Sequence, residues 1–281
     1  MHITITGNLG SGKSTICKIL EDKYGFEIYS TGKVQRELAR QMNMTTLEMN
    51  QLMCSDHKYD NMIDDTTARI SRENPDKNII FDSRLAWHFV EKSFKVFLAV
   101  DLNVAAERVM NDNRGTEEQY SSLEEAKEKL YMRAQTENVR YKDIYNLEYF
   151  DYSNYNLVVE STYSSPELIA STIMKEAKDY YALVADNHGQ MVQTTRVLLS
   201  PKSLYKDEIG DEEADILKDK ISAYEKAKER WDANLVDANL PEVKIMAEKN
   251  GDSYKILSGL EDVKAAREAG IPFLFTTLNN Q

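Results

Sequence analysis

The chain predicts an α/β fold: a five-stranded parallel sheet with helices on both faces, followed by a smaller α+β region. Short β-branched runs alternate with helical patterns from residue 2 to about 178, the order that builds a parallel sheet. The first run is followed at once by Gly7-Asn8-Leu9-Gly10-Ser11-Gly12-Lys13-Ser14, which matches the phosphate-binding loop G-x-x-x-x-G-K-[ST]. Beyond residue 195 the order changes to strand, long helix, hairpin signal, helix and strand.

Taken in order, His2 to Thr6 is an apolar, β-branched strand, and Thr15 to Tyr24 is a helix with Ile16, Ile19 and Leu20 on one face. Phe26 to Tyr29 is a second strand, ending in the polar turn Ser30-Thr31-Gly32 that opens a helix carrying Val34, Arg36 and Leu38. Thr45 or Thr46 caps another helix. A further helix covers about 59–72, with Met62, Ile63, Thr66 and Ile70 on its apolar side, and Pro75 ends it. Strands follow at Asn78–Asp82, Phe94–Val100 and Asn156–Val159, with a helix through Val104, Ala105, Arg108 and Val109. Ser165 caps the closing helix, with Pro166 in its first turn.

In the C-terminal region, residues 182–195 lose periodicity and are expected to be a linker. Arg196–Leu199 is a strand, and Asp211–Trp231 one long helix with Ile216, Leu217, Ile221, Tyr224 and Trp231 along a core-facing stripe. Val243–Met246 and Tyr254–Leu257 flank Asn250-Gly251, a hairpin signal. A helix over Leu260–Ala269 stops at Gly270, and Phe273–Phe275 is the final strand.

Composition narrows the function. A formal net charge of −12 and a pI near 5.0 argue against a general nucleic-acid binder. No run approaches the roughly 18 apolar residues of a membrane span, and no secretory signal opens the chain. Cys17 and Cys54 make no metal-ligand pattern, and Cys17 is expected as a small core residue. A soluble, cytoplasmic protein is expected, with neither nucleic acid nor membrane as partner.

The loop carries the chemistry. Gly7, Gly10 and Gly12 let the backbone close around a polyphosphate, with the amides of Ser11, Ser14 and Thr15 and the helix N-terminus facing the anion. Lys13 reaches the β- and γ-phosphates, and the Ser14 hydroxyl is the candidate Mg²⁺ ligand. Binding of ATP and Mg²⁺ is the expectation. Between the fourth and fifth strands, residues 111–155 hold Arg114, Arg133 and Arg140 among alternating Glu and Lys. Charge pattern alone reads this as a solvated helical face. Beside a phosphate loop it is a candidate lid, because phosphoryl transfer needs cations that close over the reacting group.

Residues 1 to about 178 resemble the nucleoside monophosphate kinases, most closely the short cytidylate kinases of the archaeal type. The resemblance rests on the loop at 7–14, Ser30-Thr31-Gly32 with Arg36, Asp82-Ser83-Arg84-Leu85-Ala86, and Ala106-Glu107-Arg108. It continues through Arg133, Glu137, Arg140 and Tyr141 to Tyr163-Ser164-Ser165-Pro166-Glu167. It implies a P-loop kinase fold with a lid over 1–181, and phosphoryl transfer from ATP to CMP or dCMP. Lys13, Arg84, Arg133 and Arg140 would be the catalytic cations, with Arg108 or Arg114 near the nucleotide. Ser30, Gly32, Arg36, Asp60, Asp64 and Arg84 would line the acceptor. The spacing alone leaves Asp60 and Asp64 equally open to being exposed helix carboxylates. The family usually has a glycine where Ser83 stands and a small residue where Trp87-His88 follows, so acceptor choice is the property these departures touch. The alternatives are a nucleotide-binding regulatory module without turnover, or a P-loop kinase for another small metabolite.

Residues 196–281 more distantly resemble a degenerate ParB/sulfiredoxin-like domain. Glu261 and Asp262 stand where members usually carry arginines, and no cysteine occurs there, which excludes sulfiredoxin-type chemistry. A binding, regulatory or dimer-forming role is expected, with a cytidine nucleotide as candidate ligand.

Overall fold

A computed structural model describes residues 1–44, 46–111, 120–229, 240–251 and 253–279. The chain divides into two compact units, Met1–Asn156 and Leu157–Gln281. Thr45, Arg114 and Trp231, named above, lie outside the described residues.

In the first unit, strands β1 (His2–Gly7), β2 (Glu27–Ser30), β3 (Ile79–Asp82) and β4 (Phe94–Ala99) form a parallel sheet in the order β2-β3-β1-β4. β1 is buried along its whole length, which is why its alternate positions can all be apolar or β-branched. Because the strands are parallel, Gly7, Ser30 and Asp82 emerge at one edge, the edge where open α/β sheets bind ligands.

The helices are α1 (Lys13–Tyr24), α2 (Thr31–Gln41), α3 (Thr46–Ser55), α4 (Lys58–Glu73), α5 (Ala86–Phe89), α6 (Leu102–Asn111) and α7 (Leu123–Tyr145). Ile16, Cys17 and Leu20 bury the inner face of α1, and Gly25, at φ 71°, closes it with its N–H on the Glu21 carbonyl. α7 is capped by Ser122, whose hydroxyl accepts from the Glu125 amide, while Glu125 reaches back to the Ser121 amide. Ala126 and Leu130 of α7 pack on Ala105, Ala106 and Val109 of α6. The charged segment therefore has two faces: Glu125–Lys129 and Glu124–Lys127 pairs on the surface, and a buried seam underneath.

The apolar side expected for α4 is rotated. Met62 is exposed, and the buried stripe is Asp60, Ile63, Asp64, Thr67 and Ser71. The reading of Asp60 and Asp64 as exposed carboxylates is thereby corrected.

The second unit holds β5 (Leu157–Glu160), α8 (Pro166–Asp186), β6 (Arg196–Leu199), α9 (Pro201–Leu204), α10 (Asp211–Ile216) and α11 (Lys218–Glu229). It continues with β7 (Ile245–Asn250), β8 (Ser253–Ser258), α12 (Leu260–Glu268) and β9 (Leu274–Asn279). β5 pairs parallel with β6, β6 antiparallel with β9, β9 parallel with β7, and β7 antiparallel with β8 across the Asn250-Gly251 turn. Ser165 caps α8, accepting from the Leu168 amide.

Three details differ from the expectation. α8 runs to Asp186, so the linker expected at 182–195 begins as helix. The long helix is two, broken around Leu217, and Ile216 is exposed rather than part of a core stripe. Contacts group β5 and α8 with the C-terminal elements, whereas the reading by chain order groups them with residues 1–181. Among the described residues, no helix is long and apolar enough to cross a membrane.

Candidate active site

The loop after β1 is shaped by close packing. A Cβ on Gly7 would lie 2.5 Å from the Leu98 carbonyl oxygen, and one on Gly10 2.7 Å from that of Ala105. Gly10 and Gly12 also have φ of 75° and 82°, in the left-handed region that favours glycine. At Gly12, which caps α1, a Cβ would meet nothing within 4 Å, so the mouth of the loop is open. The Ser11 hydroxyl is buried without a hydrogen-bond partner, while Ser14 and Thr15 are exposed on the first turn of α1. A cradle of amides with an orphaned hydroxyl and an open mouth fits a polyphosphate.

Lys13 stands over the sheet edge with its Nζ 3.7 Å from Asp82 Oδ1. Burial, then the neighbouring Arg84, pull the Lys13 ammonium below the usual lysine range, and Asp82 opposes them. The other oxygen of Asp82 accepts from the Ser30 hydroxyl at 3.1 Å, and its carbonyl accepts from Thr31 Oγ1 at 3.4 Å. Asp82 and the exposed Ser14 hydroxyl are oxygen donors suited to Mg²⁺. Ser83 does the work of a turn without glycine: its carbonyl accepts from Thr6 Oγ1 at 2.9 Å and its hydroxyl from the Leu85 amide. Trp87 is taken up by the core, its ring 5.7 Å from that of Tyr155.

Arg84 ties the loop to α7. Its Nη1 donates to the Gly7 carbonyl at 2.6 Å and its Nε to Glu137 Oε2 at 2.9 Å. Glu137 Oε1 accepts from Arg133 Nε at 3.1 Å. Burial works against both charges, yet Glu137 keeps the Arg84 guanidinium above its ordinary range, and Arg84 with Arg133 keeps the Glu137 carboxyl below its own. The pair is ionised throughout the physiological range.

Further along α7, Arg140 Nη2 is 3.7 Å from Asp60 Oδ1 and 3.1 Å from the Tyr141 hydroxyl. Both Asp60 Oδ2 and Arg140 Nε are buried without hydrogen-bond partners. At the end of α7, the Tyr145 hydroxyl lies 2.8 Å from Asp64 Oδ2 and 3.1 Å from Asn61 Oδ1. Burial pushes the Asp64 carboxyl up to about 7 and raises that of Asp60 as well, against the pull of Arg140.

The structure thus brings Lys13, Ser30 and Arg84 to the loop edge, with Arg133 behind Arg84. It separates Arg140, Asp60 and Asp64 into a second cluster between α4 and α7. Gly32 lies next to Arg36, whose Nη1 is 3.6 Å from where a Gly32 Cβ would be, and Arg36 is exposed on α2. Arg108 Nη1 is 3.4 Å from the Gly10 carbonyl. Sequence reasoning missed the parts played by Asp82, Tyr145 and Glu137. Glu137 was named within the resemblance but given no role; its spacing, four after Arg133 and three before Arg140, puts all three on one helical face.

Comparisons with known proteins bear on the family. The model of the Cytidylate kinase-like family matches residues 2–163, more than half of the 281. The chain is 30% identical over 178 residues to a cytidylate kinase of Methanobrevibacter smithii, covering 63% of this chain and 99% of that protein. It is 34% identical over 182 residues to a cytidylate kinase of Haloarcula marismortui, covering 64% and 91%. Among solved structures, a shikimate kinase from Bacteroides thetaiotaomicron aligns with a TM-score of 0.43 at 13% identity, over 66% of this chain and 98% of that one. On the family match and these near-full-length relatives, the chain belongs to the Cytidylate kinase-like family and is an enzyme, a nucleoside monophosphate kinase.

Proposed function

We propose that the enzyme transfers the terminal phosphate of ATP, bound with Mg²⁺, to CMP or dCMP. The observation that carries this reading is the order of groups along α7. Arg133 and Glu137 belong to the phosphate end, beside Arg84 and the loop; Arg140 and Tyr145 belong to a second cluster with Asp60 and Asp64 of α4. From Glu137 to Tyr145 the helix rises about 12 Å, comparable with the reach of a nucleotide from phosphate to base.

The second cluster suits cytosine. Its 4-amino group donates and its N3 accepts, and a carboxylate is the natural acceptor for that amine. Asp60 Oδ2 is an unsatisfied acceptor and Arg140 Nε an unsatisfied donor, on side chains whose Oδ1 and Nη2 lie 3.7 Å apart. Uracil presents the reverse pattern at those two atoms and would leave both unpaired, which is how a buried site rejects an analogue. Arg140 is therefore proposed at the base, with Arg36 and Arg84 at the acceptor phosphate, where guanidinium forks suit phosphate oxygens.

Lys13 and the loop amides would hold the donor phosphates, and Ser14 with Asp82 would hold Mg²⁺, which supplies charge neutralisation between the phosphates when bound. Arg84 and Arg133 would stabilise charge on the transferring group. Positioning and electrostatics then supply most of the rate, with no dedicated base required.

Residues beyond the family match are proposed to have a non-catalytic role, such as holding a homodimer or sensing a cytidine nucleotide. Asp262, where an arginine is usual in the resembling domain, is already engaged by Lys220 at 2.8 Å and the Tyr224 hydroxyl at 3.3 Å. A cytoplasmic setting is proposed from the ATP chemistry and the buried free thiol of Cys17. The test is ADP release from ATP-Mg²⁺ against CMP, dCMP, UMP, AMP and shikimate. CMP and dCMP are expected to stimulate release at least about tenfold over UMP, the scale of one unpaired buried group. Equal rates with UMP would overturn the base reading; no stimulation by any acceptor would favour the switch without turnover.

A further inference from the structure

The arginines around the loop pose an electrostatic problem that the phosphoryl-transfer reading leaves open. Lys13, Arg84 and Arg133 are three cations at the phosphate end of α7, with Asp82 already engaged by Lys13. Glu137 is a carboxylate that two of these cations share. It is largely buried, one oxygen takes Arg84 and the other takes Arg133. Arg84 has a second anchor, the Gly7 carbonyl, whereas the Arg133 side chain is about half exposed.

A carboxylate beside a polyphosphate site repels the substrate it serves. Its presence there needs a reason, and the geometry supplies one. Without it, the buried Arg84 guanidinium would lose its carboxylate partner and keep the Gly7 carbonyl. With it, Arg84 is fixed in direction by two contacts on opposite sides, a carbonyl of the loop and a carboxylate of the helix. Arg133, held by Glu137 and reaching solvent, is the one of the pair placed to exchange partners.

We propose that Glu137 is a positioning residue that serves as an internal stand-in for substrate phosphate: it locks Arg84 between the loop and α7, and releases Arg133 to the transferring phosphate when nucleotide binds. The proposal rests on the kinase reading above. Arg84 stays on Glu137 through the reaction, so its orientation is preset. Arg133 trades one oxyanion for another, so it has an anionic partner in both states.

This makes a prediction that a purely structural ion pair does not. Removing the internal anion should strengthen binding of an external one while slowing turnover. In the full-length protein, Glu137→Gln should bind inorganic pyrophosphate about fivefold more tightly by calorimetry, as the competing charge is gone. Its kcat with CMP should fall about 30-fold, the scale of a misplaced catalytic group, with the KM for CMP not raised more than about twofold. Pyrophosphate affinity that is unchanged or weaker would overturn the proposal, as would an unchanged kcat. Should Glu137→Gln fail to fold, Glu137→Asp decides: it keeps the charge but shortens the reach. Pyrophosphate binding should then stay within about twofold of wild type while kcat falls about tenfold. A wild-type kcat in that variant would overturn the positioning role. The pyrophosphate measurement needs no acceptor, so it judges Glu137 even if no nucleoside monophosphate proves to be a substrate.

Discussion

Asp64 shows how burial changes the chemistry of a carboxyl group. It sits on the buried stripe of α4, 8% exposed, with one oxygen against the Tyr145 hydroxyl. Burial raises its pKa from 3.8 to about 7, reinforced by Asp60 and Asp65 and opposed by Tyr145 and Arg140. The sign follows directly. Between about pH 4 and 7 the folded protein retains a proton that the unfolded chain has released, so stability falls as pH rises through that window. Above about 7 the whole penalty of a buried, ionised carboxylate is present. Asp64→Asn removes it, so the variant should gain on wild type by about 4 kcal/mol, on the order of 10 °C in Tm, between pH 4 and pH 8. A Tm difference that stays constant across that range would show that Asp64 does not titrate as described.

At the scale of elements, the loop and α6 are held in close backbone contact. Gly10 and Gly12 both have positive φ, which costs an L side chain about 1–2 kcal/mol. Only Gly10 adds a collision, its Cβ falling within 2.9 Å of three atoms of Ala105. Overlap with backbone cannot be relieved by a rotamer change, so α6 must move away from the loop. Gly10→Ala is therefore expected to lower the Tm of the nucleotide-free protein by several degrees more than Gly12→Ala, for an added cost of about 1–3 kcal/mol. Equal losses would mean that conformational strain alone governs both positions. Calorimetric unfolding of the two variants separates these outcomes.

For the whole molecule, legibility followed locality. The loop, its strand and its helix were plain because the motif is contiguous and its flanks carry regular periodicity. β1 to β6 and the β7–β8 hairpin were likewise foreseen, since apolar β-branched runs and Asn250-Gly251 are local signals. The four-residue helices α5 and α9 were too short to show a period. No glycine or proline announces the break at Leu217, so the 211–231 segment read as continuous. The candidate site was half legible. Lys13, Arg84 and Arg133 carry their chemistry in their residue type, but the burial of Asp60 and Asp64 was hidden because the buried stripe of α4 is mostly polar. Polarity normally marks the solvent side of a helix; here it marks the side facing Arg140 and Tyr145. Glu137 was visible at helical spacing, yet its role depends on Arg84, 53 residues earlier in the chain. That contact is a property of the folded molecule alone.

These scales meet in one claim, that donor and acceptor phosphates are brought together at the carboxyl edge of the sheet and that the acceptor is a cytidine monophosphate. ADP release alone can arise from hydrolysis, so the direct measurement is the acceptor product. With ATP-Mg²⁺ and CMP, ³¹P NMR of the reaction should show the two coupled phosphates of CDP growing in step with ADP. Inorganic phosphate growing with ADP while CMP is left unchanged would contradict the account.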